Sequence, residues 1–295
     1  MQSADFLSAV FFYLKVGENL NQNWIVENLN NAFSTWNGKL GELWGLVTTG
    51  PQTFKGGAVW SVMQTLHNGM VGVGYALVVL FFAISLCKNT MNFHELKRPE
   101  AAIHYFLRFV AAKTLVGYGM DIMLNVFSIC NGIVTDMADS MGGISEAMVS
   151  LPAEMQTAIE NVGFLASIPL WLVTILGSLF ITVLSFVMIL TVYGRFFRLY
   201  MYTALAPLPL AAFAGESTQS VGISFLKSYV GVCLEGAVIV LACVIYSAFV
   251  GTPTVTGGEA TTIVWSYLAE TVFNMLVLVG LIKGSDRIIH EMMGL

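Results

Sequence analysis

The sequence predicts an all-α fold: a polytopic membrane helix bundle of about five transmembrane helices, with a proline-broken re-entrant element and an N-terminal amphipathic helical region. Three observations lead there. Hydrophobic residues make up 56% of the 295 positions and charged residues only 11%, where a soluble domain carries about 25% charged residues. Mean hydropathy is +0.76. Several apolar runs reach the roughly 20 residues that cross a hydrocarbon core of about 30 Å. This composition excludes a soluble enzyme and a disordered chain. With a net charge of -5, it also excludes a nucleic-acid module built on a basic patch.

The first segment, 1–67, mixes apolar and polar residues. Phe6, Leu7, Val10, Phe11 and Leu14, then Trp24, Ile25, Leu29, Phe33 and Trp36, recur at helical spacing. Asn and Gly clusters at 19–23 and 36–41 are expected to divide it into short amphipathic helices. These would lie on the outer membrane surface, with Trp24, Trp36, Trp44 and Trp60 in an interfacial belt, or pack as a small cap on the bundle. No basic region precedes the Phe6 to Leu14 run and no small-residue cleavage site follows it, so no secretory signal is read there.

The membrane bundle is assigned to 68–295. Its first expected span, Gly69 to Cys87, contains no charge. The second, Ala102 to about Thr135, is longer and carries His104, Arg108, Lys113 and Asp121. The third starts near Ser167 inside the charge-free stretch 161–194, with Pro169 in its first turn, where proline is tolerated. The fourth, Tyr229 to Val250, and the fifth, Thr262 to Ile282, carry one acid each, Glu235 and Glu270. A sixth apolar run, Leu199 to Ala214, is short and contains Pro207 and Pro209, which break a helix or force a turn. It is read as a re-entrant interior element, since broken backbone at membrane depth must be shielded by protein or water.

Lys and Arg placement sets the expected orientation. Loop 88–100 carries Lys88, Lys97 and Arg98 and is read as cytoplasmic. Loop 136–160 has five acids and no Lys or Arg and is read as outside. Arg195 and Arg198 fall inside, as does the tail with Lys283 and Arg287. The pattern is consistent only if 199–214 does not cross, with the N-terminus outside and the C-terminus in the cytoplasm. Lys15, Lys39 and Lys55 oppose this, diluted by Glu18, Glu27 and Glu42.

Catalytic motifs are absent: no P-loop, no GxSxG and no HExxH. His94-Glu95 and His290-Glu291 lack the second histidine of a zinc helix. No metal, no cofactor and no catalytic residue is expected. Cys87, Cys130, Cys233 and Cys243 lie in apolar stretches without a CxxC pair and read as small buried hydrophobes. Gly72 with Ala76, and Gly280 with Gly284, have the one-turn spacing of close helix contacts.

Charges inside the expected spans are the candidate functional residues, because each costs about 3 kcal/mol or more at the bilayer centre. They are Arg108, Lys113, Asp121, Glu235 and Glu270. Arg108 and Lys113 can snorkel to headgroups, and Glu235 lies toward the inner end. Asp121 and Glu270 sit well inside their segments, as a buried pair, a hydrated lining or a protonated hydrogen-bonding group. Arg195 and Arg198 are expected to anchor the proline element of Pro207 and Pro209 at the cytoplasmic edge.

Three stretches carry a family resemblance. The first is Thr53-Phe54-Lys55-Gly56-Gly57-Ala58-Val59-Trp60, running into Gly72-Val73-Gly74-Tyr75-Ala76. The second is Glu95-Leu96-Lys97-Arg98-Pro99-Glu100, followed by Phe106-Leu107-Arg108-Phe109. The third is Arg195-Phe196-Phe197-Arg198-Leu199-Tyr200, leading to Ala204-Leu205-Ala206-Pro207-Leu208-Pro209-Leu210. With them the chain resembles the TrbL family, polytopic inner-membrane components of type IV secretion and conjugation machines, in versions from mobile elements of Gram-positive bacteria. The resemblance covers about Thr53 to the C-terminus.

It implies a plasma-membrane subunit with about five spans and an outside N-terminus. It also implies other type IV secretion membrane subunits and ATPases as partners, and DNA or protein as transported substrate. It supplies no catalytic residues. One five-span bundle is too small to enclose a DNA-sized pore, so a path needs a homo-oligomer or partners. The acidic 136–160 loop would repel DNA and suits basic proteins. The alternative function is an independent small-molecule or ion transporter, which should show internal repeats and paired broken helices. Only one broken element is visible. A membrane-embedded enzyme would need converging His, Asp or Glu residues beyond Asp121 and Glu270.

Overall fold

The computed structural model describes residues 2–90, 99–140, 148–162, 164–249 and 260–294. Among these residues all regular structure is helical. Helix α1 is Gln2–Thr48, and a 3-10 turn at Phe54–Gly57 leads into α2, Ala58–Thr90. Then come α3 (Pro99–Gly117), α4 (Gly119–Ser140) and the short α5 (Ala153–Glu160). Helix α6 is Phe164–Leu205, α7 is Pro207–Ala211 followed by a 3-10 turn at Ala212–Ala214, α8 is Gln219–Phe249 and α9 is Ala260–Met293.

Four described stretches are long and apolar enough to cross a membrane: Phe54–Lys88, Ser167–Leu205, Gln219–Phe249 and Thr261–Met293. The all-α membrane-bundle class predicted from sequence therefore holds, with differences in particular elements. The expected second span is two helices, α3 and α4, interrupted at Tyr118 between two glycines. The helical bonds resume on either side, Tyr118 donating to Thr114 and accepting from Ile122. Glycine is among the weakest helix formers, and both glycines here permit close approach. A Cβ on Gly117 would lie 2.8 Å from the Tyr75 hydroxyl, and one on Gly119 would lie 3.2 Å from Leu210.

The N-terminal segment also differs, because α1 is one continuous helix rather than several short ones. Asn and Gly disfavour helix, Gly by up to about 1 kcal/mol, but packing overrides propensity here: Ile25, Leu29, Phe33, Trp36, Leu40 and Leu43 form one buried stripe. Pro169 falls in the second turn of α6, since the helix begins at Phe164, and it forgoes one backbone bond. Helix α6 rises about 63 Å at 1.5 Å per residue, twice a hydrocarbon core. Its hydroxyls bond back to their own helix, Thr182 to Ser178 and Ser185 to Ile181 among them.

The chain divides into two compact units. The first comprises 1–44, 141–191 and 241–283. In it, Asn28 donates to the Thr174 carbonyl and the Ser178 hydroxyl, and Asn37 exchanges two bonds with the Val149 backbone. Phe33 meets Tyr267 edge-on, and the Tyr267 hydroxyl donates to the Ser150 carbonyl. This part of α1 is thus packed against protein along one face.

The second unit comprises 45–140, 192–240 and 284–295. Its core gathers Val78 of α2, Ala112 and Val116 of α3, Met123, Phe127 and Cys130 of α4, Leu199 of α6, and Tyr229, Val232 and Cys233 of α8. Ala206, Leu210, Ala211 and Ala214 complete it, so the proline segment is interior. The chain breaks at Ala206, later than expected, because 199–205 continue α6. Gly74 lets α7 approach: a Cβ there would sit 2.9 Å from both the Pro207 carbonyl oxygen and Val116.

The turn before α2 reverses the chain through Lys55, Gly56 and Gly57 at φ +50, +72 and +77, a region glycine enters freely. Phe54 from that turn stacks on Phe196 with ring centroids 4.1 Å apart.

Candidate functional site: a hydrogen-bonded charge cluster

The cluster starts from an unfinished helix. The last carbonyls of α1 have no partner within the helix, and its last turn carries no basic residue. Arg195 of α6 supplies one from outside. Its Nη1 donates to the Val47 carbonyl at 3.3 Å, while Nε and Nη2 donate to Val232 and Cys233 of α8 at 3.3 and 3.1 Å. Asn131 of α4 donates to the neighbouring Thr48 carbonyl at 3.1 Å. A cation at a helix C-terminus is also favoured by the helix dipole. Arg195 is 0% exposed, and its guanidinium is seated against Gly236. A Cβ on that glycine would lie 2.8 Å from Cζ, Nη1 and Nη2.

One turn further along α6, Arg198 faces α8 and α9. Its Nη2 donates to both carboxylate oxygens of Glu235 at 2.7 Å, and its Nη1 donates to Asp286. Glu235 is 1% exposed and also accepts from the Ser285 hydroxyl at 3.1 Å. Asp286 is 44% exposed, with His290 3.5 Å away. Arg195 lies close enough to Glu235 to interact electrostatically. Two guanidinium groups thus face two carboxylates, and the buried members are satisfied by hydrogen bonds. That satisfaction is the condition under which buried charge is tolerated. A hydrogen bond from Tyr200 to the Pro51 carbonyl, 2.8 Å, and one between His67 Nδ1 and the Thr203 carbonyl, 2.7 Å, tie the same end of α6 to the turn and to α2.

Of the residues singled out from sequence, the structure brings Arg195, Arg198 and Glu235 together. Pro207 is buried and Pro209 partly buried in the adjoining α7. Arg108 of α3 donates to the Gln219 side chain at the start of α8. Lys113 is exposed. Asp121 and Glu270 are both exposed, so neither belongs to a buried pair; Asp121 stands on the wall of a cleft of about 510 Å³. Ser285, Asp286, Gly236 and the Val47 carbonyl were not anticipated. The acid singled out in α9 from sequence, Glu270, is not a member of the cluster; Asp286 of the same helix is. Among the described residues no three His, Cys, Asp or Glu side chains gather as a metal site requires.

Long apolar helices around a hydrogen-bonded charge cluster define a multi-pass α-helical membrane protein. The family model described as TrbL/VirB6 plasmid conjugal transfer like protein matches residues 36–207, more than half of the chain. The chain belongs to this family and is a membrane component of the conjugal transfer type. No curated protein and no solved structure matches it.

Proposed function

We propose that the chain is a channel or platform subunit of a conjugative type IV secretion machine, helping to assemble the path for DNA or protein across the plasma membrane. The observation that carries this reading is membership of the TrbL/VirB6 family over 36–207. The hydrogen-bonded cluster of Arg195, Arg198 and Glu235 supports a structural rather than catalytic role, since every buried charge is committed to a partner.

The N-terminus and the acidic 136–160 loop lie outside; loop 88–100 and the C-terminus lie in the cytoplasm, where separate ATPases supply energy. Several copies, with other membrane subunits, enclose a path that one bundle is too small to form. DNA is cargo rather than a bound ligand, because the chain's net charge of -5 repels it.

The test is assembly: two differently tagged copies are expressed together with the remaining transfer proteins and extracted in mild detergent. Co-purification of both tags with other transfer membrane proteins is expected. A lone monomer under conditions that preserve the rest of the machine would overturn the proposal.

A further inference from the structure

Helix α1 carries a polar face that plays no part in the charge cluster. From Glu27 to Gly41 every exposed residue is polar or glycine: Glu27, Asn30, Asn31, Ser34, Gly38 and Gly41. They recur at steps of three or four residues and so share one side of the helix, away from the buried stripe of Ile25, Leu29 and Phe33. A Cβ on Gly38 or Gly41 would meet nothing within 4 Å, so the face is open there.

Within the first unit, three contacts place this part of α1 beside the charge-free part of α6. Trp24 and Trp171 have ring centroids 5.7 Å apart, Asn28 donates to the Thr174 carbonyl and the Ser178 hydroxyl, and the Lys39 ammonium lies 5.9 Å from the Phe186 ring centre. The two helices therefore run side by side in the same direction. Residues 24–39 rise about 22 Å, most of a hydrocarbon core of about 30 Å. Over the same length every exposed residue of α6 is apolar, Leu172, Leu176, Leu179 and Val183 among them, and Ser167–Leu205 is one of the stretches able to cross a membrane.

An apolar surface and a polar surface thus stand at one depth. Lipid suits only the first. A carboxylate such as Glu27 costs about 3 kcal/mol or more in the bilayer core, and each unbonded amide or hydroxyl costs about 1–3 kcal/mol. A dry contact with a second copy fares no better. Copies related by rotation in one membrane present the same face at the same depth, so Glu27 would meet Glu27. Lys39 does not relieve this, since it is paired with Glu42 at 2.6 Å. Water satisfies every group on the face.

We propose that the Glu27 to Gly41 face of α1 lines a water-filled path at membrane depth, with the apolar face of α6 turned to lipid. The inference rests on the proposed function and deepens it: α1 is the helix that assembled copies turn toward the path. The face suits a hydrated cargo, because amides, a hydroxyl and glycines carry no charge that would hold it back from leaving.

Single cysteines are placed in the full-length protein in a background without the four native ones. Donor cells carrying all other transfer proteins are then treated with a water-soluble maleimide. Asn31→Cys and Ser34→Cys should react at least about tenfold faster than Leu179→Cys and Val183→Cys at the same level, because a thiol in apolar surroundings ionises poorly. Occupying Ser34→Cys with the reagent should also lower DNA transfer in proportion to the labelled fraction, and the cysteine-free protein should be unaffected.

Equal labelling of all four variants would put this whole layer in water and overturn the proposal. No labelling of Asn31→Cys and Ser34→Cys would mean that the face is buried against protein, and would overturn it as well. Labelling without loss of transfer would remove the path. Any of these results in a protein that still co-purifies with the other transfer proteins leaves the proposed function standing, whereas failure to co-purify overturns that function itself.

Discussion

Gly236→Ala is the sharpest probe of the charge cluster. On α8 alone the change should be favourable, because alanine is better than glycine in a helix interior by up to about 1 kcal/mol. Here the new methyl carbon would stand 2.8 Å from three atoms of the Arg195 guanidinium. That guanidinium is 0% exposed and tied to three backbone carbonyls, so it cannot move aside without losing bonds. Losing one hydrogen bond from a charged donor costs about 1.5–3 kcal/mol, and stranding the charge altogether costs about 3–5 kcal/mol. Set against the propensity gain, a net loss of about 1–3 kcal/mol is expected.

The assay is reversible unfolding from mild detergent into dodecyl sulfate, followed by tryptophan fluorescence. The decisive comparison repeats the substitution in an Arg195→Met background, where no guanidinium remains to be displaced. There Gly236→Ala should be neutral or stabilising by up to about 1 kcal/mol. The same loss in both backgrounds would refute the claim that Gly236 exists to seat Arg195.

The cluster's other members should rank by burial. Glu235→Ala, which leaves Arg198 with Asp286 as its one remaining carboxylate partner, should cost about 1.5–3 kcal/mol, Ser285→Ala about 0.5–1.5 kcal/mol, and Asp286→Asn about 0–1 kcal/mol because solvent screens it, all read by the same unfolding assay. Gly74→Val should push α7 away from α2 and cost about 1–3 kcal/mol as an overpacked contact, with new protease cleavage near Pro207 as the visible sign. In a background without the four native cysteines, Asp121→Cys should react readily with a water-soluble maleimide and Glu235→Cys should not; equal labelling would contradict the assigned burial. Arg195→Glu combined with Arg198→Glu should lower membrane level or block complex formation, and unchanged level and assembly would argue against any anchoring role.

The apolar helices were legible in the sequence because lipid-facing and helix-facing residues are both apolar, and charge-free runs such as 161–194 have no other solution. The break before Pro207 was legible for a local reason, the missing donor and fixed φ of proline. What stayed hidden depended on distant partners. The continuity of α1 is set by a buried stripe from Ile25 to Leu43 whose packing surface comes from other parts of the chain. Arg195 and Arg198 announced themselves as charges needing an explanation, but their partners lie at Val47, Glu235 and Asp286, and no short-range pattern links them.

Depth within a hydrophobic segment leaves Asp121 and Glu270 open to a buried pair or a hydrated lining; rotation about the helix axis places both at the surface of the chain, which removes the buried pair. The split at Tyr118 was masked by counting 102–135 as one apolar run, although Gly117 and Gly119 flank it.

As a channel or platform subunit, the protein should be needed for conjugal transfer. The most direct measurement is the frequency of DNA transfer to recipient cells from a donor lacking the gene, with and without the intact gene supplied in trans. Transfer should collapse in the deletion and return with the intact gene. Undiminished transfer without the gene would contradict the account.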